Sequence, residues 1–206
     1  GIKMSDITNK ESEKKNSFFT SFLEIAESFV IAVACVVFVF LFVARLSIVS
    51  GDSMNNTLLD KDYLVVVNVF GTYTPESGDI VVVHGDYEYY NKPLVKRVIA
   101  TEGQKIEINC QTRQVYINGE PLIEDYVYYQ SGLPFRIPET AGGSYDPITG
   151  IFSATVPEGC VFVMGDNRLN SADSRVGEIG FIDEDNILGK AVYRIAPFNR
   201  IGGLYD

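Results

Sequence analysis

Three short stretches of this 206-residue chain carry the side chains that could do chemistry. The first is Ser50-Gly51-Asp52-Ser53-Met54-Asn55-Asn56-Thr57-Leu58, a serine in a glycine-containing polar turn. The second, Leu94-Val95-Lys96-Arg97-Val98-Ile99-Ala100, sets Lys96 among apolar β-type residues, where its side chain is expected to be buried beside a strand. In the third, the apolar run from Val161 to Met164 leads into Gly165-Asp166-Asn167-Arg168-Leu169-Asn170-Ser171-Ala172-Asp173-Ser174-Arg175, a strand followed by a dense polar loop. Taken alone, Ser53 reads more simply as a residue that caps a turn. A serine hydroxyl becomes a useful nucleophile only when a neighbour removes its proton, and a lysine can do so only as the neutral amine. Burial disfavours the ammonium form and lowers its pKa, while nearby carboxylates raise it again. In a chain of net charge −10 those demands conflict. Pairing of Arg97 with Asp166, and of Arg175 with Asp173, is therefore expected to tie the loop down and keep bare carboxylates from holding Lys96 protonated.

The elements that must hold these residues are legible in the pattern around them. From Ser28 to Ala44 the chain is uncharged and apolar, bounded by Glu27 and Arg45, and apolar or small residues continue to Val49. A run of about 20 residues at about 1.5 Å each matches a hydrocarbon core of about 30 Å, and it has no amphipathic period. It reads as a membrane span; it is too long for the core of a cleaved leader and lacks a small-x-small cleavage site before Arg45. The preceding tail is rich in Lys, Glu, Ser and Asn, cannot build a core and is expected to be disordered or frayed helix. The chain opens Gly-Ile-Lys-Met, and Met4 is expected to be the native start. Lysines before the span weakly favour an inside N-terminus. Nearly all of the net charge lies after the span, among short β-type runs: 63–69, 79–84, 95–100, 105–109, 114–118, 150–156, 161–164 and 187–195. Gly, Pro, Asn and Asp punctuate them about every 10 residues, the rhythm of an all-β sandwich or barrel. Val115 to Ile117 followed by Asn118-Gly119 predicts a hairpin, and residues 126–147 read as an irregular insert.

Several functions are excluded. With 17 Lys and Arg against 27 Asp and Glu, the chain lacks the basic stripe that binds nucleic acid. One histidine and three scattered cysteines give neither a zinc motif nor a disulfide framework. His84 closes a strand-like run and reads as a surface residue, so a Ser-His-Asp triad is not expected. Cys35 falls in the span; Cys110 and Cys160 are open between free and paired. The tyrosines of 87–90 and 126–129 are open between an aromatic surface at the bilayer and packing within core and insert.

Taken together, the three motifs, with Gly78-Asp79-Ile80-Val81 between the first two, resemble the bacterial type I signal peptidases. These are membrane-bound serine proteases with a Ser/Lys dyad that remove signal peptides from exported proteins. The resemblance covers most of residues 25–200 and is most specific in Gly-Asp-Asn-Arg-x-Asn-Ser-x-Asp-Ser-Arg at 165–175. It implies Ser53 as nucleophile, Lys96 as general base and Ser171 as the hydroxyl that orients the lysine. It also implies Met54 beneath the substrate cleft, with Arg97, Asp166, Asp173 and Arg175 bracing the site. Two departures alter turn chemistry rather than reacting groups: Asn56 stands where the family usually has proline, and Ala100-Thr101-Glu102-Gly103-Gln104 where it has Gly-x-Pro-Gly-Asp. Gly51 stands where some members carry a serine that donates to the oxyanion, as in Gram-positive relatives, which leaves that task mainly to backbone N–H groups such as that of Ser53.

The expectation is thus a mostly β protein, a signal-peptidase-like barrel or sandwich behind one transmembrane helix. Its parts are a cytoplasmic tail at 1–27, a span at 28–48 and an extracytoplasmic catalytic domain at 49–206. Its partners are signal-peptide-bearing preproteins, which the resemblance implies are cut after an Ala-x-Ala-like site, together with the lipid bilayer and the secretion translocon nearby. No nucleic acid, metal or organic cofactor is implied.

Overall fold

A computed structural model describes residues 4–68, 72–85, 92–129, 132 and 134–205. The chain divides into two compact units, Gly1–Val43 and Ala44–Asp206. The first is one α-helix, Met4–Phe42, so the polar tail from Met4 onward is helical and continuous with the apolar segment. Within it, Thr20–Phe40 has the length and composition of a membrane span, and none of it is buried inside the protein. Phe29, Ile31, Val36 and Phe38 are all at least half exposed around its circumference. A helix apolar on every side needs a solvent other than water.

The span was expected to run to residue 48, but the helix stops at Phe42 and Ala44–Ile48 forms an edge strand, β1. The sequence Ala-Arg-Leu-Ser-Ile alternates with period two, and its pairing with the strand Tyr63–Val67 (β2) overrides the hydropathy that links it to the helix.

The second unit is built of strands. After β1 and β2 come Ile80–Val83 (β3), Leu94–Thr101 (β4), Lys105–Asn109 (β5), Val115–Ile117 (β6), Glu120–Pro121 (β7), Ser144–Asp146 (β8), Ile151–Thr155 (β9), Cys160–Met164 (β10), Ile182–Asp183 (β11), Ile187–Ala196 (β12) and Gly202–Gly203 (β13). One curled sheet has the order β1-β2-β12-β3-β4-β10-β11, with β13 paired to β12; a second has the order β7-β6-β5-β9-β8. The named pairs are antiparallel. Each expected run contains a strand. The expected hairpin is β6–β7, where Asn118 and Gly119 take φ of 51° and 87°, the two left-handed positions of a type I′ turn. The short strands β7, β8, β11 and β13 carry too few residues to show a period of their own.

Among the described residues, three apolar clusters form the core. Leu64, Val66, Ile80, Val82 and Val95 pack with Val49, Met54 and Leu58 from the turn after β1. Val81, Val83, Val98, Val161 and Val163 pack with Ile179, Ile182 and Ile187. The second sheet closes on Ile106, Ile108, Phe152 and Phe162. β4 lies between β3 and β10 and is buried on both faces, which is why it reads as a continuous apolar run interrupted only by Lys96 and Arg97. Because neighbouring residues on a strand face opposite ways, Lys96 shares its face with Val81 and Arg97 shares the other with Ile80.

Of the insert, Ser144–Asp146 is an edge strand and Tyr128 bridges to Asn167. Tyr87 to Tyr90 lie outside the described residues. Cys35, Cys110 and Cys160 are free thiols. His84 is exposed at the end of β3, where its N–H donates to the carbonyl of Asn186 at 2.9 Å.

Candidate active site

Ser53 stands in the turn that follows β1, with the fully buried Met54 and Leu58 beneath it as anchors in the core. Leu58 N–H donates to the Met54 carbonyl at 2.9 Å, closing the turn from below. Gly51 takes φ of 86°, a conformation that disfavours any side chain, and its N–H donates to Asp60 Oδ1 at 2.9 Å. Lys96 reaches out of β4 to this turn. Its Nζ lies 2.8 Å from Ser53 Oγ and 2.9 Å from the Val95 carbonyl. The lysine is 3% exposed, and burial pushes its pKa from 10.5 down to about 8, against the pull of Asp173 and Asp166 and with the help of Arg175. The amine that faces the serine is therefore neutral in about one molecule in ten at pH 7 and about half at pH 8, the state that proton removal requires.

The carboxylates that would oppose this are each occupied. Asp166 accepts from Arg97 Nε at 2.9 Å and Nη2 at 2.7 Å, a bidentate pair, and from Thr57 Oγ1 at 2.5 Å. Asp173 accepts from Arg175 Nε and Nη2, both at 2.8 Å, and from the N–H of Gly165 at 2.9 Å. Burial alone would raise the Asp173 carboxyl, but Arg175, the Gly165 N–H and the Ser171 hydroxyl hold it down at about 2. Both expected ion pairs are thus formed, and all four members are buried.

Ser171 lies beside the pair without a bond to Lys96. Its Oγ is buried and meets no partner at hydrogen-bond geometry, although its hydroxyl sits close enough to Asp173 to help depress that acid. Gly165 explains how closely the parts fit. A Cβ there would fall 2.3 Å from Ser171 Oγ and 2.4 Å from the Ser53 carbonyl oxygen, so only glycine lets the polar loop and the serine turn meet. The loop is also sewn to that turn by Asn167, whose N–H donates to the Ser53 carbonyl at 2.9 Å and whose side-chain amide donates to the Asp52 carbonyl at 3.0 Å.

An open cleft of about 220 Å³ at the Ser53–Lys96 pair is lined by Val49–Ser53, Pro93–Lys96, Asn170 and Ala172. The Leu94–Lys96 wall is the part of β4 that lies beyond its pairing with β10, and a free strand edge beside a gap suits an extended peptide. Among the described residues no group of acidic, His or Cys side chains could hold a metal ion.

A family model described as signal peptidase, peptidase S26, matches residues 22–196. The chain belongs to this family. Signal peptidase I T of Bacillus subtilis (strain 168) is 34% identical over 197 residues, which is 94% of each chain. Signal peptidase IB of Staphylococcus aureus (strain Mu50) is 37% identical, over 80% of this chain and 86% of its own. Among solved structures, a signal peptidase I from Enterococcus faecalis V583 aligns with 57% of this chain and 97% of its own, at 28% identity and a TM-score of 0.42.

Within this signal peptidase the sequence reading missed five contributors. Thr57 ties the serine turn to Asp166, and Asn167 ties it to the loop; both lie in quoted motifs but have side chains that announce nothing. Arg168, 1% exposed, forms an ion pair with Glu124, whose Oε2 is 2.9 Å from Nη1. Tyr126 lies with its ring 3.9 Å from the Arg97 guanidinium carbon. Glu124 and Tyr126 come from a stretch with no periodicity, and only the fold brings them to the loop.

Proposed function

We propose that this signal peptidase is a membrane-anchored serine endopeptidase that cuts signal peptides from exported preproteins through an acyl-enzyme, with Ser53 as nucleophile and Lys96 as general base. The observation that carries the reading is the 2.8 Å approach of Lys96 Nζ to Ser53 Oγ, by a lysine whose pKa burial lowers to about 8. The neutral amine takes the Ser53 proton as Oγ attacks the scissile carbonyl, and the ammonium so formed returns it to the departing amine. The same amine then activates the water that hydrolyses the ester. The Ser53 N–H donates to the oxyanion; Gly51 supplies no side chain, and its N–H is engaged by Asp60. Ser171, which makes no bond to Lys96 in the resting site, turns its hydroxyl to that amine while Ser53 is esterified, Met54 packs beneath the serine turn, and the Arg97–Asp166 and Arg175–Asp173 pairs keep carboxylate charge away from the base. No step calls for a metal or an organic cofactor.

The substrate binds as an extended strand in the cleft, with small side chains at the first and third positions before the cut, an Ala-x-Ala-like site. The apolar helix spans the cell membrane once, with the N-terminal tail in the cytoplasm and the catalytic domain outside, near the translocon where signal peptides emerge. A time course with a labelled preprotein in detergent tests this. Wild-type protein should cleave in trans, and Ser53→Ala and Lys96→Ala should be folded and inactive. Turnover close to wild type in either variant, or cleavage of the enzyme's own chain alone, contradicts the reading.

A further inference from the structure

We propose that Glu124–Tyr129 is a strap across the polar loop, and that Glu124 and Tyr126 are positioning residues for the Ser53–Lys96 pair; this rests on the function proposed above. The strap is joined to the loop by its backbone. Tyr128 N–H donates to the Asp166 carbonyl at 2.8 Å, and Arg168 N–H donates to the Tyr128 carbonyl at 3.0 Å, a parallel bridge between otherwise irregular segments. Its side chains grip the two arginines on either side. The Glu124 carboxylate takes both terminal nitrogens of Arg168, while the Tyr126 hydroxyl donates to Glu124 Oε1 at 3.1 Å and its ring covers the Arg97 guanidinium. Arg168 in turn reaches back through Nε to the Gly165 carbonyl at 3.2 Å, and Arg175 Nη1 donates to the Arg168 carbonyl at 2.8 Å.

The physical consequence passes through Arg97. That guanidinium neutralises Asp166, and the tyrosine ring keeps water from its open face, where hydration would compete with the ion pair. Asp173, Arg175 and Asp166 are the charged groups that act on Lys96; those that act on Arg97 are Asp166, Tyr126 and Tyr205. A loosened strap lets Arg97 hydrate and leaves the Asp166 charge less well met. The ammonium form of Lys96 is then favoured, without any change in the cleft that binds the peptide.

The test is the pH dependence of kcat/KM for preprotein cleavage by the full chain in detergent. Tyr126→Leu and Glu124→Gln should each move the acid limb upward by about 0.5 pH unit, a loss of about threefold below the limb, with KM within about twofold of wild type. Tyr126→Phe, which keeps the ring over Arg97, should restore the wild-type limb. Ile123→Ser, at an 82% exposed neighbour of the strap, should leave the profile alone. A limb that stays put in both Tyr126→Leu and Glu124→Gln while the melting temperature falls overturns the proposal and leaves the strap a merely structural element. Should Tyr126→Leu not fold, the limb of Glu124→Gln decides alone. A wild type with no acid limb, or an active Ser53→Ala, fails earlier and defeats the catalytic reading together with the strap.

Discussion

Replacing Gly165 with alanine adds one methyl group at the point where the polar loop meets the serine turn. The new carbon would lie 2.3 Å from Ser171 Oγ, 2.6 Å from Ser171 Cβ and 2.4 Å from the carbonyl oxygen of Ser53. Ordinary carbon contacts begin near 3.5 Å, so about 1 Å of separation must be found. The Ser171 side chain cannot supply it all, because its own Cβ is also struck. The Ser53 carbonyl is held from the other side by the Asn167 N–H at 2.9 Å, and Gly165 itself is pinned by its N–H to Asp173. The movement therefore falls on the backbone that carries Ser53, whose Oγ must stay within hydrogen-bond reach of Lys96. A displacement of about 1 Å at reacting groups costs on the order of 100-fold in rate. Overpacking in a tight site costs about 1–3 kcal/mol of stability. We expect Gly165→Ala to lower kcat by about 100-fold with a modest fall in melting temperature, measured with a labelled preprotein and by thermal unfolding. A variant within about threefold of wild-type kcat would refute the claim that this contact sets the serine's place.

The pH profile of the wild type should rise about tenfold per unit below an acid limb near pH 8, where Lys96 loses its proton, and level off above it. Lys96→Met should abolish cleavage yet raise stability at pH 7 by up to about 3 kcal/mol, since it removes the burden of a buried amine held at about 8 rather than 10.5. In the wild type the unfolded chain binds the extra proton between those two values, so stability should climb as pH rises through that window and the Lys96→Met protein should lack the climb. Asp173→Asn leaves Arg175 buried without its counter-ion and should cost about 3–5 kcal/mol in urea unfolding. Because Asp173 is held near 2 against an ordinary 3.8, its share of wild-type stability persists above about pH 4 and disappears as pH falls toward 2.

Most strands were legible because each carries an apolar run closed by Gly, Asn, Asp or Pro, and the β6–β7 hairpin because Asn-Gly has few other uses. The end of the apolar helix was not, since Leu46 and Ile48 are as hydrophobic as what precedes them and only pairing with β2 makes them a strand. The Ser53–Lys96 contact followed from the family resemblance of the three motifs, and both arginine–aspartate pairs from the charge conflict around Lys96. Ser171 illustrates the limit: the motif brings it to the site, but a hydroxyl's partner depends on a rotamer that no spacing encodes. Glu124 and Tyr126 lay beyond reach for another reason: they act across 44 and 29 positions of chain, through a loop with no period to betray them.

A lysine whose amine is discharged by its surroundings is also a lysine that can be labelled apart from its fellows. At pH 8 about half of Lys96 is the free base, whereas an ordinary surface lysine near 10.4 is so in less than about 1% of molecules. The cleft gives a small electrophile such as cyanate a way in. Limited carbamylation at that pH should therefore mark this side chain ahead of the other lysines, alongside the α-amine of the chain, and preprotein activity should fall in step with the modified fraction of Lys96. In the purified protein the modified fraction of Lys96, read by peptide mass, would count competent enzyme molecules, a titration that the protein's own chemistry makes possible.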